Sequence, residues 1–254
     1  LSKHIFRILA SQMKWQVGEY ECILELWGNF ADTLHEPYKS SFSQVFGVTQ
    51  CNEHNRKSDS ALLKSKLSKE AFVLVPLSSD RVVLSALLEN DFKDLEAEDY
   101  TIEPKDQAEY PNILTDGPIQ EKVSIPAFTT IKIENAPNVL IFGVKREVWN
   151  REINDVEYND SAVHFDKTIT VKGESYSLMN KILFSQKHEH YYAFVTDPLS
   201  RNKYIYNDMD VELLEQDDFD DELYEKSVCM AFYMKDSAWE AEKAELIIES
   251  KSNE

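Results

Sequence analysis

Hydrophobic residues change their period about halfway along the chain. From Leu1 to about Phe46 they recur at three and four residues, with Ile5, Phe6, Ile8 and Leu9 leading into Cys22, Ile23, Leu26, Trp27 and Phe30. This spacing gathers them on one helix face and predicts helices, with Gly28 a weak point in the second. Asn52 to Ser68 is polar and rich in Lys and Ser, with no clear period, and predicts a loop or projection. A short helix is predicted over Val83, Leu84, Ala86, Leu87 and Leu88. Pro104, Pro111, Gly117-Pro118 and Pro126 then punctuate an irregular connection.

From Thr129 onward the period falls to two. Thr130 to Glu134 alternates strictly, and Asn138 to Val144 is a nearly continuous apolar run, as expected of a strand covered on both faces. Val163-His164-Phe165, Thr168 to Val171 and Tyr176-Ser177-Leu178 predict further short strands, with Gly173 between the last two. Ser227 to Met234 predicts another strand, and Ala238 to Ile248 a charged terminal helix. Helices first and a mainly antiparallel sheet later is an α+β arrangement.

One predicted hairpin carries chemistry. His190 opens the run His190-Tyr191-Tyr192-Ala193-Phe194-Val195, and a second run, Lys203-Tyr204-Ile205-Tyr206, ends in Asn207-Asp208. The intervening Asp197-Pro198-Leu199-Ser200-Arg201-Asn202 has hairpin-loop composition. If the strands pair, the start of one lies near the end of the other. His190 then comes within reach of Asn207 or Asp208, which is the base-and-orienter half of a nucleophilic triad. His188, one pleat earlier, competes for the same role. The bland alternative is a histidine that merely begins a surface strand.

Composition narrows the function classes. A hydrophobic content of 43% in 254 residues is enough for a globular core. Apolar runs such as Ala71 to Val75 are too short to cross a bilayer. The net charge of −19 argues against nucleic acid as a partner. Acid concentrates between Glu212 and Glu225, which reads as a solvated loop. The three cysteines, Cys22, Cys51 and Cys229, are widely spaced, which fits a reducing compartment rather than a disulfide framework or a zinc ribbon. A cytoplasmic or nuclear protein without metal or cofactor is expected.

Four segments, in order, resemble the ubiquitin-specific proteases, papain-like cysteine deubiquitinases. Ala136-Pro137-Asn138-Val139-Leu140-Ile141-Phe142-Gly143-Val144-Lys145-Arg146 is similar to the family's P-x-V-L-x-x-x-L-K-R-F strand, and His190 to Val195 to its G-H-Y-x-A-Y box. Tyr204 to Asp208 resembles W-x-x-F-N/D-D, and Cys229 to Met234 resembles A-Y-x-L-x-Y. Asn207 follows His190 by 17 residues, a spacing the family also uses. A fifth segment, Gln16 to Ile23, is similar to the Q-x-D-x-x-E box, nearest yeast-type members reading Q-Q-D-V-T-E-C-I. Gln16 and Glu21 hold their places there and Gly18 stands for the aspartate.

The resemblance implies a papain-like fold divided into a helical part (1–50), a fingers-like or irregular insert (51–128), a palm-like sheet (129–235) and a C-terminal helix or tail (236–254). It implies His190 as base, Asn207 or Asp208 as orienter, and Gln16, Glu21 and Tyr191 as contacts to substrate. That substrate is the C-terminal tail of ubiquitin, whose arginines precede its terminal glycines, in isopeptide linkage to a protein. No G-N-T-C-Y-x-N nucleophile box is present. Gly28-Asn29 is followed by Phe30, Cys22 matches a non-catalytic helix position, and Glu189 replaces the glycine before the histidine. A fragment whose nucleophile lies outside this sequence is expected, and the chain by itself is expected to be inactive. The alternative is an inactive ubiquitin-binding or scaffolding module on the same fold.

Overall fold

The computed structural model describes residues 22–31, 45–58, 60, 62–77, 81–89, 92–94, 100–104, 121–150, 154–197, 199–208, 210–214, 224–241, 243 and 244. The larger sheet has the order β17 (Asp210–Leu213), β16 (Lys203–Asn207), β15 (His190–Thr196), β14 (Glu174–Ser185), β18 (Val228–Lys235), β9 (Val139–Gly143) and β3 (Val73–Leu74). β13 (Thr168–Val171) also pairs with β14. All these pairings are antiparallel except that of β3 with β9. A second sheet runs β2 (Leu62–Glu70), β1 (Val48–Arg56), β8 (Ala127–Ile133) and β5 (Phe92–Asp94). Three small pairs complete the described strands. They are β10 (Glu147–Asn150) with β11 (Asp155–Tyr158), β12 (Val163–His164) with β4 (Val82–Val83), and β6 (Tyr100–Ile102) with β7 (Val123–Ile125).

The apolar run Asn138 to Val144 behaves as its pattern predicts, because β9 lies between two apolar layers. Leu140 and Phe142 face the main core with Tyr176, Leu183, Phe194, Ala231 and Tyr233. Ile141 faces the other way with Leu24 and Met230, beneath the helix over 23–31. Each fully buried large side chain here contributes about 1.5–3 kcal/mol of transfer free energy. Trp27 fixes the helix on the sheet by an edge-on contact with Phe232 at 5.6 Å. Gly28 lies inside that helix without breaking it. The short helix Leu84–Glu89 sits close to prediction, and its Ser85 amide is capped by Asp166 at 2.9 Å. The terminal helix starts at residue 236, and the part of its prediction beyond 244 lies outside the described residues.

Residues 52–68 correct the sequence reading. The strand residues described within this span, 52–56 and 62–68, form not a loop but the greater part of the β1–β2 hairpin, in register from Val48↔Glu70 to His54↔Lys64, with a register shift before Asn55↔Leu62. The absence of an apolar period is real, since most of β1 is only half-buried and β2 is largely exposed. The strand state comes instead from the two ladders flanking β1 and from pairs across it, such as Lys132 to Glu53 at 2.8 Å. β2 is the edge of that sheet and carries Lys64, Lys66 and Lys69, a charge pattern that discourages edge-to-edge pairing. The described architecture is α+β with mainly antiparallel sheets, as the change of period predicts. Among the described residues no helix is long and apolar enough to cross a membrane.

Candidate active site

The histidine hairpin is held at both ends. At its far end Asp197 Oδ1 accepts from the Leu199 and Ser200 amides and from Ser200 Oγ at 2.6–2.9 Å. The Ser200 hydrogen bonds hold the Asp197 carboxyl below its ordinary range. Arg201 lies over the ring of buried Trp239, 3.3 Å from its centroid. At the near end, β15 pairs with β14 so that Ser185 opposes His190 and Phe184 opposes Tyr191. The turn between them, 186–189, has Glu189 at φ 49°, a left-handed conformation that disfavours residues with a side chain. This gives the physical reason for a glycine at that place in the resembling motif.

On the other side, Ala193 opposes Tyr206, which puts His190 and Asn207 on one face of the sheet. Their side chains meet. His190 Nε2 lies 2.8 Å from Asn207 Oδ1. The amide oxygen accepts the Nε2 proton, so the neutral ring keeps Nδ1 unprotonated and available as a base. Asp208 is the more distant candidate, with Oδ1 at 3.7 Å from Nε2 and a side chain 80% exposed. Of the alternatives left open by the sequence, Asn207 makes the hydrogen bond and Asp208 stands beside it. His188 lies in the turn rather than on a strand, so the expectation that it shares a pleated face with His190 fails.

Tyr191 points the other way. Its hydroxyl accepts from the Ile23 amide at 3.4 Å, at the start of the helix over 23–31, and its ring packs on Phe184 at 4.7 Å. Tyr191 therefore ties the helix to the histidine strand. Gln16 and Glu21, the other predicted substrate contacts, lie outside the described residues.

None of the three thiols hydrogen-bonds to His190. Cys229 is buried, and burial pushes its thiol up to about 12, which suits a core residue and not a nucleophile. Cys51 sits on β1 in the second sheet, its thiol raised by burial and by Glu53 and Glu134. Cys22 packs with Ile141 and Met230, as its core reading expects. Among the described residues no group of three His, Cys, Asp or Glu side chains is placed to share a metal ion.

Two polar elements behind the hairpin escaped the sequence reading. Arg146 is buried and donates to the carbonyls of Val228, Asn159, Ser161 and Glu225, which anchors the chain entering β18. Glu225, assigned from sequence to a solvated acidic block, is itself buried. It accepts from Arg81 Nε at 2.7 Å, from the Arg81 terminal nitrogen, and from His164 Nδ1 at 2.7 Å. A block of like charges averages over its members, and one inward-facing carboxylate leaves no mark on that average.

No family model matches the chain, and no curated protein matches it. Solved structures do. The Ubp8-Sgf11-Sgf73-Sus1 SAGA DUB module superposes with a TM-score of 0.61 at 15% identity, covering 92% of this chain and 53% of the matched one. The SAGA Ubp8/Sgf11/Sus1/Sgf73 DUB module bound to ubiquitin aldehyde gives 0.58 at 14% identity, covering 83% and 48%. The chain spans about half the length of the structures it matches. Its fold is that of the papain-like catalytic domain of ubiquitin-specific proteases. At this identity the likeness concerns the fold alone.

Proposed function

We propose that the chain is the palm-bearing part of a thiol-dependent deubiquitinase, acting on the isopeptide bond at the C-terminus of ubiquitin. The observation that carries this reading is the hydrogen bond from His190 to Asn207, made on a fold shared with ubiquitin-specific proteases and at the spacing of their motif. His190 serves as the base that takes the proton of a cysteine and later returns one to the leaving amine. Asn207 holds the ring in the Nε2-protonated tautomer without adding a full charge. The division into helical part, fingers-like insert, palm and terminal helix belongs to the same reading, as do Gln16, Glu21 and Tyr191 as substrate contacts and a cytoplasmic or nuclear setting.

No described thiol reaches His190, which favours a second reading for the chain by itself, that of a ubiquitin-binding module without turnover. The test is a fluorogenic ubiquitin amide together with a ubiquitin titration. The chain alone is expected to bind ubiquitin without hydrolysing the amide, and a polypeptide that also carries the nucleophile segment is expected to hydrolyse it. Hydrolysis by the chain alone that Cys22→Ser abolishes would relocate the nucleophile. Absence of ubiquitin binding would overturn both readings.

A further inference from the structure

The edge of the larger sheet carries an apolar block. Tyr204 pairs with Leu213 and Tyr206 with Val211 across β16 and β17. Residues paired in register stand on one face, so these four side chains form a patch two strands wide. Tyr206 is 43% exposed, Val211 51% and Leu213 66%. Ile205, between the tyrosines, packs toward the main core, which puts the block on the opposite face. Tyr206 also opposes Ala193, and Ala193 opposes Ile182, which packs with Ile141 and Met230. The block therefore continues the surface that the helix over 23–31 covers.

The terminal helix starts on this same face and runs toward the block. Tyr176 and Leu178 of β14 point into the main core, so Ser175 and Ser177 point away from it. Their hydroxyls donate to Asp236 at 2.6 and 2.7 Å, which fixes the first residue of the helix over β14. About one turn on, buried Trp239 lies against Arg201 in the loop from β15 to β16, and Arg201 donates to Glu240 at 3.3 Å. The helix thus advances from β14 past β15 toward β16, and the Tyr204–Leu213 pair stands at that end of β16 and β17. Trp239 is buried and Lys243 half-buried. Leu246 and Ile247 follow at the spacing that keeps them on the same side. Six or seven residues past Glu240 is about 9–10 Å along a helix axis, or two interstrand spacings of about 4.8 Å.

We propose that Glu245-Leu246-Ile247-Ile248, continuing the terminal helix, covers the block of Tyr204, Tyr206, Val211 and Leu213, with Leu246 and Ile247 as the apolar contacts. Glu245 and Glu249 fall outside that side of the helix and stay in water. The acidic stretch 215–223 is the poorer occupant, since carboxylates laid on an apolar patch lose water without gaining a partner. Docking of the terminal segment braces β16, whose last residue, Asn207, holds the His190 ring.

Photo-crosslinking on the full chain decides the occupant. Leu213→p-benzoylphenylalanine, at an exposed position, is expected to link to a peptide from 245–254 of the same chain. Mixed light and heavy isotope-labelled chains tell a link within one chain from a link between two. A link to 215–223, to another segment or to a second copy overturns the proposal, as does the absence of any link. The variant L246S/I247S is expected to lose most of the link and, without the photoprobe, to shift the amide resonances of Tyr206, Val211 and Leu213. Resonances left in place would overturn the proposal as well. The link itself is read on a chain with its terminal segment intact, so it decides the matter even if the double variant unfolds.

Discussion

Gly143 on β9 lies directly under Leu24 of the helix over 23–31, so that a Cβ built at Gly143 would stand 2.6 Å from Leu24 Cδ2 and 3.0 Å from Phe72 Cδ2. The missing side chain is what lets the helix settle on Ile141 and Met230. Gly143→Ala is expected to push the helix outward and to cost about 1–3 kcal/mol, the usual range for overpacking. A denaturant midpoint equal to that of wild type would show that the helix shifts without loss.

The orienter assignment predicts an order of damage. In a polypeptide that supplies the thiol, His190→Ala is expected to lower kcat by roughly a thousandfold or more, since base and nucleophile act as a unit. Asn207→Ala, which removes the 2.8 Å partner, should cost more than Asp208→Ala, whose carboxylate stands at 3.7 Å. Turnover measurements on the three variants check this, and the reverse order of the last two would transfer the orienting role to Asp208. In the chain alone, imidazole nitrogen shifts should report the Nε2-protonated tautomer and lose that preference in Asn207→Ala.

Glu189 is a residue with a side chain at φ 49°. Glu189→Gly is expected to raise stability by roughly 1 kcal/mol, as relief of the left-handed strain outweighs the added freedom of the unfolded chain. Glu189→Ala keeps the strain and should not stabilise. Thermal unfolding of the pair separates backbone relief from loss of charge.

Arg146 is held by carbonyl acceptors on three segments, Val228, Glu225 and the stretch containing Asn159 and Ser161. Arg146→Lys keeps a charge but lacks the planar fork that spans them. A loss of about 2–4 kcal/mol is expected from the acceptors left without donors in a buried site. A change below 0.5 kcal/mol in urea unfolding, the range of an ordinary surface substitution, would mean that other donors replace the guanidinium.

Burial by itself would raise the Glu225 carboxyl, but the hydrogen bonds from Arg81 and His164 outweigh it and hold the folded value below the ordinary glutamate range. A carboxylate more acidic in the folded state contributes stability that is complete above the unfolded pKa. That contribution is lost as pH falls through the folded value. Stability is therefore expected to decline with acidification through about pH 4 and below. Glu225→Gln should be less stable at neutral pH and show a shallower decline. An identical acid slope in the two proteins would place the responsible group elsewhere.

Local pattern fixed the type of the strongest elements. The apolar run Asn138 to Val144 could only be satisfied by burial on both faces, and β9 is so buried. The histidine hairpin was legible because loop chemistry and period-two strands bring His190 toward Asn207 whatever the rest of the chain does. The β1–β2 hairpin was not legible, because polar residues paired on both edges leave no apolar period.

The sequence by itself determined the α+β class, the antiparallel hairpin and the small set of residues able to form a base with its orienter. These depend on short-range periodicity and turn chemistry. Only the tertiary structure decided that Asn207 rather than Asp208 meets the ring, that Glu225 turns inward to Arg81, and that Arg146 gathers carbonyls from three segments. The physical reason is common to all three. A side chain's partner depends on strand register and on packing between segments far apart in the chain, and neither quantity is encoded in the residues nearest to it.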